Sequence, residues 1–278
     1  MTQTPSGKGT AEGASRSDKA SAAPAASFWS HIDELRRVIL RMALVFAVFA
    51  VAAFCFMPAI FEKVIMAPCS AQFPTYRLFE YIAGEASSDF SVDVVSLELT
   101  SQIFVHMSAA GWLALTAAFP ILIILLWSFI SPGLYEHERR GAVKAFIWGV
   151  VMFYLGVAVA YFLIFPLTLR FLATYSLSSA VRPMISLESY MDNFFMLELI
   201  MGAVFEFPVL AWLLGRMGIL RRGFFSRWRR HAIIVLLVIA ALITPTGDPF
   251  TLFIVFIPIY ALWEASALIV PKEEEDNI

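Results

Sequence analysis

Six apolar runs, separated by charged or turn-forming segments, constrain this chain more than any other property of its sequence. They lie at about Val38–Met57, Phe104–Phe129, Ala142–Phe165, Phe194–Gly215, Ala232–Ile243 and Phe250–Val270. Most approach the ~20 residues that carry an α-helix across a ~30 Å hydrocarbon core. In lipid, every backbone N–H and C=O must be paired within its own segment, so such runs fold as helices. The rest of the composition agrees. A chain of 278 residues that is 60% hydrophobic and 15% charged, with a mean hydropathy of +0.77, carries more apolar surface than one soluble core can hide. We therefore expect an all-α polytopic membrane protein with six transmembrane helices.

Charge sets the expected orientation. With the loops assigned alternately and the N-terminus inside, only Lys63, Arg77, Arg170 and Arg182 of the 20 Lys and Arg residues fall outside. Lys and Arg concentrate on the cytoplasmic side of membrane proteins, so both termini are expected in the cytoplasm. The outside segments, about 58–103 and 166–193, are long enough to form structured caps. Pro120 lies inside the second run and is expected to kink it. The fifth run is only about a dozen residues, or ~18 Å of helix. It forms a short hairpin with the sixth, across the turn Thr244-Pro245-Thr246-Gly247-Asp248-Pro249.

Residues 1–27, rich in Ser, Ala and Gly, read as a disordered cytoplasmic tail. Residues 28–270 read as the six-span domain, and 271–278 as an acidic cytoplasmic tail. A cleavable signal peptide is not expected, because the first run has spanning length and no small-residue cleavage site follows it. Cys55 and Cys69 make neither a disulfide framework nor a metal pattern. Gly7-Lys8-Gly9-Thr10 lacks the upstream glycine of a nucleotide loop. No cofactor, metal or nucleic acid is expected, and no catalytic residue is nominated.

Glu206 is the anomaly within the runs. It sits in Phe205-Glu206-Phe207-Pro208, roughly 15–20 Å from the nearest polar segment at ~1.5 Å per residue. A carboxylate at that depth costs several kcal/mol unless it is neutral, paired or facing a polar cavity. Pro208 removes a helix donor beside it. Glu198, two turns earlier, is expected to snorkel or to make a structural hydrogen bond.

Two cytoplasmic segments hold acids where topology alone asks only for bases. The loop Ser131-Pro132-Gly133-Leu134-Tyr135-Glu136-His137-Glu138-Arg139-Arg140 is short and held against the membrane. In Ser30-His31-Ile32-Asp33-Glu34-Leu35-Arg36-Arg37, Ser30 and Asp33 are spaced as a capping box with Asp in place of Glu. Glu34 is thereby left to face outward. The basic tract Arg221–Arg230 anchors the chain to the membrane surface and suits anionic headgroups.

Together these residues resemble the TatC family, the core receptor subunit of the twin-arginine protein translocase. The resemblance rests on Ser30-His31-x-x-Glu34-Leu35-Arg36 and Phe129-x-x-Pro132-Gly133-Leu134-Tyr135-x-x-Glu138-Arg139-Arg140. It continues with Phe205-Glu206-x-Pro208, Thr244-Pro245 with Asp248, and Ile257-Pro258 with Glu264, in order over about 28–270. This chain departs from the pattern in a longer first outside segment and in Thr246-Gly247 before Asp248.

The resemblance implies tilted helices forming a concave, glove-like wall with extracytoplasmic caps, in the bacterial cytoplasmic (inner) membrane. It implies a non-enzymatic receptor that binds twin-arginine signal peptides of folded precursors, with export driven by the proton-motive force. Glu34, Glu138, Arg36, Phe129, Tyr135 and Arg139 then form the signal-peptide site. Two guanidinium groups suit carboxylates that accept them bidentately, and Lys lacks that fork. Glu206, Pro208 and Glu264 become intramembrane contacts for single-span partners of the TatA and TatB type. Pro245 and Asp248 mark an extracytoplasmic turn. Membrane lipids and further copies of the chain are the remaining implied partners. The competing expectation is a small proton-coupled transporter or channel with Glu206 as relay, which requires internal repeats that the two halves of the sequence do not show.

Overall fold

The computed structural model describes residues 14–83, 90–130, 136–175, 178, 184–244 and 247–270, with side chains at 32–81, 90–129, 143–175, 178, 184–244 and 247–270. In chain order these residues form α1 (Ala14–Ile60), α2 (Pro74–Ala83), β1 (Val94–Val95), α3 (Ser101–Ile130) and α4 (Glu136–Val159). They continue with α5 (Phe165–Thr174), β2 (Ile185–Ser186), α6 (Leu187–Phe205), α7 (Phe207–Arg216), α8 (Arg222–Ile243) and α9 (Pro249–Ile269). Short π-helical turns at Phe61–Ile65 and Ala160–Ile164 follow α1 and α4.

Five helical stretches are long and apolar enough to cross a membrane: Ile32–Cys69, Ser101–Phe129, Val143–Thr174, Leu187–Arg216 and Pro249–Ile269. The expected fifth run is not among them as an apolar span. It forms the second half of α8, whose first half carries Arg222, Arg227, Arg229 and Arg230. Its 22 residues are thus divided between nearly three basic turns and the dozen apolar residues expected. At its start the chain also differs from expectation, because α1 begins at Ala14, inside the stretch read as a tail. Alanine-rich sequence has high intrinsic helix propensity.

The prolines separate by their neighbours. Pro120 and Pro258 lie inside α3 and α9 without ending them. Pro208 coincides with the boundary between α6 and α7, since it offers no N–H and its ring collides with the carbonyl four residues back. The Glu206 N–H turns to Ala203 O at 3.2 Å, and the Glu206 carbonyl accepts from Val209 and Leu210 at 3.1 and 3.0 Å. The helix restarts with Glu206 at the hinge.

One end of the bundle is closed by a clasp. β1 and β2 pair in parallel, Val94 with Ile185 and Val95 with Ser186. Ser186 then caps α6 by accepting from Ser189 N at 3.2 Å. Tyr76 of α2 is fully buried, its hydroxyl 3.0 Å from Pro68 O and 3.1 Å from Pro166 O. Carbonyls of the two π turns are taken by hydroxyls from other elements. Tyr161 donates to Val64 O at 2.8 Å, Tyr190 donates to Ile65 O, and Thr75 donates to Phe162 O. Burial pushes the Tyr76 phenol up from its ordinary value, with Cys69 adding to the shift and Arg170 opposing it.

The main core joins α1, α3, α5, α6, α8, α9 and the second π turn through both small and large residues. Ala109, Ala110 and Ala114 of α3 meet Leu197 and Met201 of α6, and Ala160 and Ile164 lie in the same cluster. Helices α4 and α6 touch backbone to backbone. A β-carbon added at Gly156 would lie 2.5 Å from Met201 O, and one at Gly202 would lie 2.7 Å from the Phe153 ring. Small residues of this kind let membrane helices approach closely enough for dispersion to hold them. The opposite end has a smaller cluster, Ala211, Phe225 and Val270, packed with Trp263.

Candidate functional site

Glu206 is placed by the proline break. It is the C-terminal cap of α6 and the N-terminal cap of α7 (φ −71°, ψ −17°), so its side chain leaves the helix where the ladder is interrupted. The half-buried carboxyl group runs toward α4 and stops against Gly149, where an added β-carbon would sit 2.9 Å from Oε2. Oε1 is buried and has no hydrogen-bond partner among the described residues. A glycine on one helix and a proline on the other thus make room for an acid at the middle of the bundle. An unpaired buried acceptor of this kind costs about 1–3 kcal/mol, and a donor from outside the chain would offset that cost.

Glu264 is held differently. It accepts a hydrogen bond from Tyr260 Oη at 2.7 Å, one turn earlier on α9, and forms an ion pair with Arg229 of α8. The sequence suggested Glu264 as a partner contact and gave no hint of Arg229, 35 positions away. Its charge is already matched within the α8–α9 hairpin. Asp248 caps α9, accepting from Thr251 N at 2.7 Å, while Pro245 lies outside the described residues.

The cytoplasmic candidates divide. Glu34 is half-buried on α1 and Arg36 is exposed one position past Leu35. The adjacent Arg37 Nε donates to Asp33 O at 3.2 Å. Phe129 is half-buried near the end of α3. Tyr135 lies outside the described residues. Glu138 and Arg139 fall in the first turn of α4, with side chains outside the described set. Helix α4 therefore begins at the loop that carries one nominated acid and runs to Gly149, where it meets the other.

Glu198 does not snorkel. Its Oε1 is buried without a hydrogen-bond partner among the described residues. It borders a cavity of about 340 Å³ with Trp112, Thr116, Tyr154 and Tyr161. Sequence reasoning expected snorkelling or a structural hydrogen bond because it counted only distance to the polar end of α6. The wall that α3 and α4 build around it comes from residues 37–86 positions away.

The family model described as "Sec-independent protein translocase protein (TatC)" matches residues 30–258. The chain belongs to the TatC family. Among family members, the Sec-independent protein translocase protein TatC of Deinococcus radiodurans is 32% identical over 257 residues, covering 90% of each chain. TatCy of Bacillus subtilis is 30% identical over 243 residues, covering 87% of this chain and 88% of its own. A solved structure titled "Crystal Structure of Twin Arginine Translocase Receptor- TatC in DDM" superposes with a TM-score of 0.70 at 26% identity, covering 87% of this chain and 99% of that one. Family membership makes the chain a component of a protein translocase, a transport subunit and not a catalyst. The matched region runs from the first membrane-length helix into the middle of α9 and includes the Glu206–Pro208 break.

Proposed function

We propose that this chain is the signal-peptide-receiving core of a twin-arginine translocase. In this reading it is a six-span protein of the bacterial inner membrane with both termini in the cytoplasm. The mixed helix α8 then supplies the sixth crossing, with its basic turns in the headgroups. Glu34 and Glu138 bind the arginine pair of the signal peptide at the cytoplasmic face, with Arg36, Phe129, Tyr135 and Arg139 forming the surrounding surface. The apolar part of the signal peptide follows the wall that leads to Glu206 and Pro208, where single-span partners of the TatA and TatB type contribute the missing donor. Glu264 acts there through its pair with Arg229, which fixes the hairpin against which a partner packs. Several copies assemble into one receptor complex, and the proton-motive force drives export.

The observation that carries the reading is the pairing of acids at two levels of one helix system. Glu138 lies at the start of α4, and the unpartnered Glu206 is pressed against the same helix at Gly149. A photo-crosslinker placed beside the arginine pair of a precursor signal peptide tests it in inverted membrane vesicles. Glu138→Gln is expected to reduce crosslinks to this chain at least ~10-fold, the loss of one charge-assisted bidentate contact. A precursor with Lys-Lys in place of Arg-Arg is expected to crosslink weakly to the unaltered chain. Equal crosslinking by Glu138→Gln would remove the site assignment.

A further inference from the structure

On the flank of α4 opposite Glu198 lies a second cavity, of about 330 Å³, at the basic end of the bundle. Its walls are Trp148 and Met152 of α4, Pro208 and Trp212 of α7, and Ile269 at the end of α9, with Lys144 at its mouth. One turn beyond Trp212, Arg216 lays its guanidinium over the indole, 5.5 Å from the ring centre. The cavity lining contains no carboxylate among the described residues. The nearest acid in sequence, Glu206, directs its carboxyl group to Gly149 instead. Lys144 and Arg216 are both exposed, so among the described residues the charged side chains beside the mouth are positive, while the lining is mostly apolar.

We propose that this cavity is a binding site for one anionic phospholipid from the leaflet at the basic end. An acyl chain lies between α4 and α7, and Lys144 and Arg216 are the counter-charges of the phosphate. Three features select this occupant. Two indoles flank the cavity, each one turn from a basic residue (Lys144, Arg216), the pairing that interfacial aromatic belts make with headgroups. Cationic side chains at the mouth of a gap between transmembrane helices attract anionic headgroups. Apart from the two indole N–H groups, the described lining below Lys144 is apolar, which suits an acyl chain better than a polar ligand. Pro208, at the α6–α7 break, forms part of the wall. The site is separate from the basic tract of α8, and it stands whether or not the signal-peptide assignment holds.

The test uses the purified full chain in a neutral detergent, titrated with phosphatidylglycerol or phosphatidylcholine carrying dibrominated acyl chains, with tryptophan quenching as readout. Phosphatidylglycerol is expected to half-saturate at about tenfold lower concentration, in keeping with the attraction of two basic side chains to an anionic headgroup. Trp148→Phe with Trp212→Phe is expected to remove most of the saturable quenching, which locates it among the seven tryptophans. Lys144→Gln with Arg216→Gln is expected to abolish the preference, and either single substitution to give an intermediate value. The result therefore does not depend on one variant folding. Arg227→Gln with Arg230→Gln should leave it intact, and inorganic phosphate should fail to compete. Equal half-saturation for the two lipids would overturn the proposal. So would a preference that follows Arg227 and Arg230, or complete competition by inorganic phosphate.

Discussion

The two ends of this bundle are built on different principles. At the strand end, β1 and β2 pair, Tyr76 and Tyr190 bury hydroxyls on carbonyls of distant segments, and α6 buries Tyr190, Met191, Phe194, Phe195, Leu197 and Met201. At the basic end the same helical path continues as α7, which buries only Pro208 and Ala211. The change occurs at Glu206. One half of the path, the scaffold, is held chiefly by interactions among its own elements, although Glu198 borders a cavity there. The other half leaves side chains, cavities and a buried oxygen available to molecules that are not part of the chain. Regions with few buried contacts are the ones that open most easily and the ones that binding can order.

Substitutions can break or sharpen this contrast. The largest effect is expected from Gly156→Leu on the scaffold side, where even a β-carbon would meet Met201 O at 2.5 Å. Overpacking a backbone contact of this type costs about 3 kcal/mol. It should appear as loss of folded, monodisperse chain in detergent and a lowered melting temperature. Survival of Gly156→Leu with an unchanged melt would mean that α4 and α6 are not the tight pair described.

Tyr76→Phe is expected to cost about 1.5 kcal/mol, by leaving buried carbonyls without a donor. The parent protein should also lose stability in alkali. The Tyr76 phenol is raised above its ordinary value of 10.0. Its contribution is therefore complete below about pH 10 and declines as pH rises beyond it. Protease resistance measured from pH 8 to 11 should fall for the parent, and less steeply for Tyr76→Phe.

Gly149→Ala is expected to cost less, about 1 kcal/mol, because the carboxyl group of Glu206 can move away from the new methyl group. Its consequence should be functional. Export of a twin-arginine precursor is expected to drop several-fold while the melt changes little, the opposite of the pattern for Tyr76→Phe. The smallest effect is expected for Glu264→Gln. Its pair with Arg229 is partly exposed, with side chains 30% and 57% accessible, and pairs of that kind contribute under ~1 kcal/mol. A loss of several kcal/mol would show that the hairpin depends on this pair far more than its exposure suggests.

What the sequence made legible followed local rules. The apolar runs, the basic skew and the interruption at Glu206-Phe207-Pro208 all depend on neighbouring residues, and five of the six expected runs fall in helices of spanning length. Asp248 was legible as part of a turn, though not as the cap of α9. Contacts across the bundle were not legible. Gly149 lies 57 positions from Glu206, and Gly156 looks like any small residue until α6 is placed against it. Val94–Val95 and Ile185–Ser186 are too short for a two-residue period to register, and only the assembled helix ends bring them together. Glu198 was expected to snorkel or to make a structural hydrogen bond because distance along its own helix was the only measure to hand. The cavity that receives its oxygen is made by three other helices.

The glycine contact between α4 and α6 also bears on how the molecule could be assembled from parts. It relies on shape at close range, with no charge or long side chain, so it needs neither a covalent connection nor a particular salt or pH. The pairing of β1 with β2 crosses the same boundary. Two separately synthesised pieces, divided between Tyr175 and Ile185, would therefore carry matching faces. Within a bilayer, where each piece already has its backbone paired, they would find one another and reconstitute the fold.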